Sequence, residues 1–221
     1  MIKRPVLFLL LSFVLIFTLT SCSTLQQFLP TGKTGSTTSS NVLFEDDFSK
    51  SSSGWDQWSG DSGKTDYVDG TYQILVNQTQ YDLWANPGKS FTDVSAEVDA
   101  VMVSGPQDND FGILCRYKDL DNYYFGILSS DGYYAIGSVI AATQNILTDG
   151  MQASDKINTG YKSNHVRFDC VGDKLTLYAN GTQLVQITDA TLTSGDVGLM
   201  AGTFDTAGTQ VSFDNFVVNQ P

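Results

Sequence analysis

The stretch that decides the fold reads DVSAEVDAVMV at residues 93–103 and FGILCRYKDLDNYYFGILSSDGYYAIG at residues 111–137. Apolar and polar residues alternate through it with a period of two, which is the pattern of a β-strand that buries one face. The Asp131-Gly132 dipeptide lies between two such runs and is a strong signal for a hairpin turn. We therefore predict an antiparallel meander from Asp93 to Ile140.

The alternation assigns each side chain of this meander to a core face or to an outer face. The turns suggest a register in which Arg116 lies opposite both Glu97 and Tyr124. The same register places Gly126 opposite Gly137. The outer face then carries a group of polar side chains around three glycines, namely Glu97, Asp99, Arg116, Tyr124 and Tyr133 around Gly112, Gly126 and Gly137.

This outer face has two interpretations. Carboxylates, a guanidinium and phenols above open glycines are groups that bind sugar hydroxyls and stack on sugar rings. Trp84 or Trp55 is a candidate for the rim of such a site. The alternative is a solvated face with a cross-strand pair between Glu97 and Arg116, which contributes at most about 1 kcal/mol. The sequence leaves both interpretations open.

The remainder of the chain is typical of an all-β protein. Hairpin signals recur at Asp69-Gly70 and Asn180-Gly181, and only Glu45 and Glu97 are glutamates among 24 acidic residues. Aspartate favours turns, whereas glutamate favours helices. We count roughly 12 to 14 strands, a number that predicts two packed antiparallel sheets rather than one open sheet. The predicted domain comprises residues 42–221.

Charge and motifs exclude several functions. The chain has 12 Lys and Arg against 24 Asp and Glu, a formal net charge of −12 at pH 7. Such a chain repels phosphate backbones, so we expect no nucleic-acid partner. No phosphate loop or nucleophile elbow is present, and we expect a structural or exposed role for His165. We expect no cofactor, although Asp46 or Asp47 with Asp214 could hold a structural calcium ion.

The N-terminal residues predict export and anchoring. Residues 1–21 have a basic start at Lys3 and Arg4 and then a short apolar run, as in a signal peptide. Leu19-Thr20-Ser21-Cys22 resembles the lipobox of bacterial lipoproteins, which implies lipid transfer to Cys22 and cleavage before it. Residues 22–41 are rich in Ser, Thr and Gly and read as a flexible linker. The predicted location is the extracytoplasmic face of a membrane.

Several stretches carry a family resemblance. FEDDFSKSSSGW (44–55), FGILCRYKDLDNYYFGILSSDGYY (111–134) and NHVRFDCVGDKLTLYANG (164–181) resemble concanavalin A-like lectin and glucanase domains. The kin most similar to them are laminin-G-like domains and 3-keto-disaccharide hydrolases. The resemblance implies a two-sheet jelly roll. The β-glucanases of this superfamily use a Glu-x-Asp-x-x-Glu motif, which Glu97 and Asp99 begin. Met102 replaces the second glutamate and cannot donate a proton, so we do not expect that mechanism.

These observations favour a lectin-like module that binds glycan or envelope polysaccharide. The alternatives are a hydrolase of the 3-keto-disaccharide type, whose catalytic residues we cannot assign, and a structural or sensory scaffold. Cys115 and Cys170 both fall on predicted core faces. Export permits a disulfide between them, and two buried free thiols are the alternative.

The lipobox generates a first prediction. A Cys22→Ala variant should remain unprocessed or appear in soluble form, because the apolar run of the signal is too short to hold the protein in a bilayer. Mass spectrometry of the purified wild-type protein should detect acyl chains on Cys22. An unmodified mature N-terminus at another residue would contradict the prediction.

Overall fold

The computed structural model describes residues 41–221. The predictions for the signal peptide, for Cys22 and for the linker up to residue 40 lie outside these residues. Between residues 41 and 221 the chain forms sixteen β-strands in two sheets. No helix in this range is long and apolar enough to span a membrane.

The larger sheet has nine antiparallel strands, with β6 and β16 at its centre. In spatial order the strands are β14 (Thr182–Thr188), β13 (Lys174–Ala179), β12 (Asn164–Val171), β6 (Val94–Ser104), β16 (Thr209–Asn219), β4 (Thr71–Val76), β3 (Gly63–Val68) and β2 (Trp58–Gly60). β1 (Val42–Asp46) also pairs with β16. The first and last strands of the described residues therefore meet in this sheet.

The smaller sheet has seven antiparallel strands and carries the hairpins that follow β6. In spatial order the strands are β10 (Thr143–Ile146), β9 (Tyr133–Ile140), β8 (Asn122–Leu128), β7 (Asn109–Asp119), β15 (Asp196–Thr203) and β5 (Tyr81–Ala85). β11 (Gln152–Ala153) also pairs with β9. Together the two sheets confirm the predicted all-β, two-sheet antiparallel sandwich.

The predicted meander is correct for β7, β8 and β9 but wrong for β6. These two consecutive strands, β6 and β7, lie in different sheets. Glu97 in β6 therefore pairs with Arg167 and Val217, not with Arg116. The chain crosses between the sheets after Gly105, which has φ of 107°, and through Pro106, which has no N–H for a ladder.

The two inner faces enclose one hydrophobic core. Alternate residues of the strands supply it and are at most 1% exposed, among them Val94, Ala96, Val98, Phe111, Ile113, Val166, Phe168, Leu199 and Phe213. A disulfide between Cys115 in β7 and Cys170 in β12 crosses this core and joins the sheets. It closes a loop over a sequence separation of 55, and such a bridge typically stabilises a domain by about 2–4 kcal/mol.

Two differences in register exchange the core and outer faces of β8 relative to the sequence prediction. In β7 a bulge follows Cys115, so that Cys115 rather than Arg116 lies opposite Tyr124. The β8–β9 turn places Ser129 opposite Tyr133, through the N–H of Ser129 and the carbonyl of Tyr133. Its loop is thus one residue longer than predicted. Since each one-residue shift inverts a strand's faces, β8 is inverted, while β9 and the part of β7 up to Cys115 keep the predicted faces; Tyr117, after the bulge, changes face.

The bulge residue Arg116 is a buried structural group. Its φ is 52°, a conformation that few non-glycine residues adopt, and it is 1% exposed. Nη1 donates to the carbonyl of Leu192 at 2.7 Å, and Nε donates to the carbonyl of Thr92 at 3.3 Å. Nη2 contacts the carboxylate of Asp93 at 3.2 Å. Arg116 therefore ties the end of β7 to two loops.

Replacing Arg116 with Ala should lower the free energy of unfolding by about 2–4 kcal/mol. The change leaves buried carbonyls without a donor and removes a buried side chain. Urea denaturation of wild type and variant measures this difference. Arg167→Ala is the matched control, because Arg167 forms a partly exposed pair with Asp169 over the ring of Tyr178, and its loss should cost only about 1 kcal/mol. Equal stability of Arg116→Ala and wild type would contradict the structural role.

Candidate functional site

The seven-stranded sheet has a second apolar face on the side away from the core. A sheet that faced only water would carry polar residues there. Instead, this face holds a second hydrophobic cluster of Leu114, Tyr123, Phe125, Ile127, Ala135, Val139 and Met200, with Trp84, Tyr117 and Met151 packed against it. We call this face the groove. The inversion of β8 brings Tyr123, Phe125 and Ile127 into the groove, and Tyr117 reaches it because it follows the bulge.

Two aspartates approach each other at one end of the groove. Asp82 in β5 and Asp110 in β7 lie on either side of Gly202 in β15 and are both in register with it. A Cβ atom at position 202 would lie 2.1 Å from Asp82 Oδ1 and 2.6 Å from each oxygen of Asp110. The two carboxylates therefore approach to about 5 Å or less, a separation typical of paired catalytic carboxyl groups. Only glycine leaves them this space.

The two members of this carboxylate pair differ in exposure: Asp82 is half-buried, whereas Asp110 is buried. Asp110 is 4% exposed, and its Oδ1 has no hydrogen-bond partner among the described residues. Burial raises the pKa of Asp82 to about 6. Burial and the neighbouring charge of Asp82 raise the pKa of Asp110 well above its usual range. Because both pKa values are raised, the pair holds its protons to a higher pH than isolated aspartates do.

A cavity of about 320 Å³ opens beside the carboxylate pair. Its volume is at the lower end of the range for small-molecule sites. Its wall combines apolar side chains of the groove with a few polar groups, namely Gln80, Asp82, Asp110, Phe125, Ile127, Gln144, Ile146, Met151, Met200, Thr203 and Phe204. We call it the inner cavity.

Aromatic rings continue the groove from the inner cavity. The ring of Tyr123 lies 5.6 Å from that of Trp84 and 5.7 Å from that of Tyr117, centroid to centroid. Trp84 and Tyr117 are partly exposed, whereas Tyr123 is buried. Trp84 is thus on the groove, as the sequence suggested for one tryptophan. Trp55 is not, because it is buried and donates Nε1 to Asp46 at 3.0 Å.

The structure does not bring together the five residues predicted to bind ligand. Tyr124 faces the core because β8 is inverted, and its hydroxyl bonds to Asp189 and accepts from the N–H of Leu192. Arg116 is buried in the bulge. Glu97 and Asp99 lie on the other sheet. Tyr133 alone stays exposed beside the groove, at 42%. The prediction that these five residues share one face was therefore wrong.

Glu97 and Asp99 instead form a polar cluster with His165 on the nine-stranded sheet. Nδ1 of His165 lies 2.8 Å from Asp99, and Nε2 lies 3.4 Å from Glu97. Burial would lower the pKa of His165, but the hydrogen bonds to these two carboxylates outweigh it and raise that pKa. Asn215 and Asn219 donate to the same carboxylates. These groups already satisfy one another, in contrast to Asp110.

The acidic residues proposed for calcium have protein partners in the structure. Asp46 accepts from the N–H of Phe48 and from Trp55, and Asp47 accepts from Ser49. Asp214 accepts from the N–H of Asn215. Across residues 41–221, no group of three or more His, Cys, Asp or Glu side chains is arranged to hold a metal ion.

The carboxylate pair predicts an unusual dependence of stability on pH. The pKa of Asp82 is about 6 in the folded protein and near 3.9 in an unfolded chain. The folded state therefore holds a proton more tightly, and the pair destabilises it increasingly as pH rises from about 4 to beyond 6. Asp110→Asn should be as stable as wild type at pH 4 and more stable by about 1–3 kcal/mol at pH 7.5.

Chemical denaturation at several pH values measures this difference, and pH effects common to both proteins cancel in it. Asp82→Asn removes the other member of the pair and should change stability in the same direction. A variant that is less stable than wild type at pH 7.5 would show that Asp110 stabilises the fold instead.

Several proteins of known structure have a similar fold. The carbohydrate-binding module CBM66 from Bacillus subtilis superposes with a TM-score of 0.62 at 16% identity, over 76% of this chain and 96% of that one. The Bacillus licheniformis β-glucanase superposes with a TM-score of 0.57 at 9% identity, over 80% and 98%. A Bacillus subtilis protein with a galectin-like fold gives 0.59 at 12% identity, over 81% and 96%.

These similarities confirm the concanavalin A-like jelly roll and, at such low identities, concern the fold alone. No functionally curated protein matches the sequence. Residues 40–219 match the sequence model of the 3-keto-alpha-glucoside-1,2-lyase-like domain. Because this match covers most of the chain, the protein belongs to the family of 3-keto-alpha-glucoside-1,2-lyase-like domains.

Proposed function

We propose that this protein is an extracytoplasmic module, anchored through lipid on Cys22, that binds carbohydrate in the groove of its seven-stranded sheet. The observation that carries the proposal is the carboxylate pair at the inner cavity. The buried oxygen of Asp110 lacks a donor within the described residues, and leaving such an oxygen unpaired costs free energy. A ligand hydroxyl that donates to it would recover that cost.

Sugars match the chemistry of the groove. A pyranose ring presents hydroxyl donors at its edge and C–H groups on its faces. Carboxylate oxygens accept from the former, while the apolar rings of Trp84 and Tyr117 can cover the latter. The names of the structural neighbours, a carbohydrate-binding module and a β-glucanase, support the same class of ligand. The acidic charge of the chain disfavours nucleic acid as a partner.

A second candidate function is catalysis, favoured by the raised pKa of the pair. The family name specifies a 3-keto-α-glucoside as substrate and a 1,2-elimination as reaction. A ketone at C3 acidifies the hydrogen on C2, so one carboxylate of the pair could remove that proton. The C2–C1 double bond forms as the C1–O bond breaks, and the protonated carboxyl donates its proton to the leaving oxygen. Both transfers are ordinary acid–base chemistry at neutral pH.

Binding and catalysis can be tested on the same variants. The full-length protein in detergent should bind neutral oligosaccharides on a glycan array. Calorimetry should show that Asp110→Asn and Trp84→Ala each weaken binding at least tenfold. Since Asp110→Asn is expected to be more stable at neutral pH, its loss of binding cannot be attributed to unfolding. Trp58→Ala is the matched control, because Trp58 is 45% exposed on the other sheet and its loss should leave binding intact.

The result that would overturn the proposal is a wild-type protein that binds no saccharide. Loss of binding in Glu97→Gln but not in Asp110→Asn would place the ligand on the nine-stranded sheet instead. Incubation with a 3-keto-α-glucoside, followed by mass spectrometry of the products, tests the catalytic candidate. Turnover by wild type that Asp110→Asn abolishes would support catalysis, and absence of turnover would leave binding alone.

A further inference from the structure

The carboxylate pair has acidic oxygens but no basic neighbour at the inner cavity. Among the described residues that line this cavity there is no Lys, Arg or His. Asp110 is 4% exposed, and its Oδ1 has no hydrogen-bond partner among the residues that the structure describes. A buried carboxylate in a folded protein is normally paired with a positive charge or bound to a metal ion. The environment of Asp110 therefore favours a ligand that is positively charged.

The oxygens of the pair converge on one small volume. The point that a Cβ atom of residue 202 would occupy lies 2.1 Å from Asp82 Oδ1 and 2.6 Å from each oxygen of Asp110. Three carboxylate oxygens thus surround the space beside Gly202. Ca²⁺ binds its oxygen ligands at about 2.3–2.6 Å and accepts a carboxylate through one oxygen or through both. Oxygens that converge to this extent can share one such ion.

The cavity supplies further oxygen ligands. The described residues hold no group of three or more His, Cys, Asp or Glu arranged for a metal, so an ion at the pair needs neutral ligands as well. The amide groups of Gln80 and Gln144 line the same cavity, and a volume of about 320 Å³ has room for water. Ca²⁺ takes about six to eight oxygens and accepts carboxylates, amides and water together. The half-buried Asp82 makes the pair accessible from the cavity.

We propose that Asp82 and Asp110 form a binding site for a divalent cation and that Ca²⁺ is the preferred ion. Asp110 binds it through both oxygens and Asp82 through one, while amide oxygens and water complete its coordination. Mg²⁺ binds more weakly, because it demands near-ideal octahedral geometry and releases its water reluctantly. Softer ions such as Zn²⁺ are disfavoured, because the described lining of the cavity contains neither histidine nor cysteine.

This inference goes beyond carbohydrate binding and does not depend on it. A sugar hydroxyl and a cation would each satisfy Asp110 Oδ1, and titrations without any saccharide separate the two ligands. A bound cation would also remove the repulsion between the two acids. Ca²⁺ should therefore stabilise the folded protein, since a ligand that binds only the folded state shifts the unfolding equilibrium.

Calorimetry tests the site on the full-length protein in detergent, after treatment with EDTA and removal of the chelator. Titration with CaCl₂ at pH 7.5 should show one site with a dissociation constant on the order of 10⁻⁴ M, as in extracellular calcium-binding modules. MgCl₂ should bind at least tenfold more weakly. At 10 mM CaCl₂ the melting temperature should rise by about 5 °C.

Variants locate the ion. Asp110→Asn and Asp82→Asn should each weaken Ca²⁺ binding at least tenfold and reduce the rise in melting temperature. Gly202→Ala keeps both acids but places a Cβ between them, and it should weaken binding to a similar extent; circular dichroism checks that this variant folds. Asp47→Asn is the matched control, because Asp47 is an exposed acid that accepts from Ser49 and its loss should leave Ca²⁺ binding unchanged.

Terbium luminescence gives a local measurement. Tb³⁺ replaces Ca²⁺ at oxygen sites and emits when a nearby tryptophan is excited. Trp84 lies two residues after Asp82 on the same strand, a separation of about 7 Å. Tb³⁺ should luminesce with the wild-type protein, Ca²⁺ should displace it, and Trp84→Phe should reduce the signal.

The outcomes that would overturn the inference are distinct from those that bear on carbohydrate binding. A wild-type protein that neither binds Ca²⁺ nor gains thermal stability from it would refute the cation site, whereas the glycan array decides the proposed function separately. Binding that Asp110→Asn and Gly202→Ala leave unchanged would also refute it. Loss of binding in Asp47→Asn alone would place the ion at the start of the domain instead.

Discussion

The bulge at Arg116 determines which side chains the seven-stranded sheet turns away from the core. One backbone position in the left-handed region shifts the pairing of β7 with β8, and Tyr117 moves to the opposite face as a result. The buried guanidinium holds this geometry through carbonyls of two loops. Without the bulge, Tyr117 would face inward, and the aromatic wall of the groove would lose one of its rings. The groove is therefore a consequence of a local backbone irregularity, as is common at functional sites.

The carboxylate pair lowers the stability of the fold at neutral pH. Two acids that face each other away from water weaken the fold at neutral pH, because desolvation and the neighbouring carboxyl group make ionisation of either one unfavourable. A site arranged only for stability would place an amide or an apolar side chain there. The disulfide between the sheets and the extensive core supply stability elsewhere in the domain. A rigid support of this kind allows an unfavourable pair of charges to persist.

Local patterns in the sequence predicted the architecture well. The alternation in Val94–Ser104 identified the core face of β6. The alternation in two other strands placed Cys115 and Cys170 on inner faces, where the structure joins them by a disulfide. Alternation is a property of neighbouring residues, so it survives in the fold. The register between two strands depends instead on turns and bulges, which the alternation within one strand does not reveal. Nothing in the sequence marks Arg116 as the residue that adopts a positive φ, and nothing marks the extra residue in the β8–β9 turn. The predicted register therefore assigned β8 to the wrong face.

The candidate site was beyond prediction for a related reason. Asp82 and Asp110 meet only because β15, from a distant part of the chain, lies between their strands. Within each strand the sequence showed which face the aspartate shares, since Asp82 alternates with Trp84 and Asp110 with Gly112. No sequence pattern indicated that the two aspartates lie close together. Gly202 lies between the two aspartates and has no side chain, which allows them to approach each other. In a related sequence, any side chain at the position aligned with Gly202 would push the two acids apart, so that single position tells whether the pair can form.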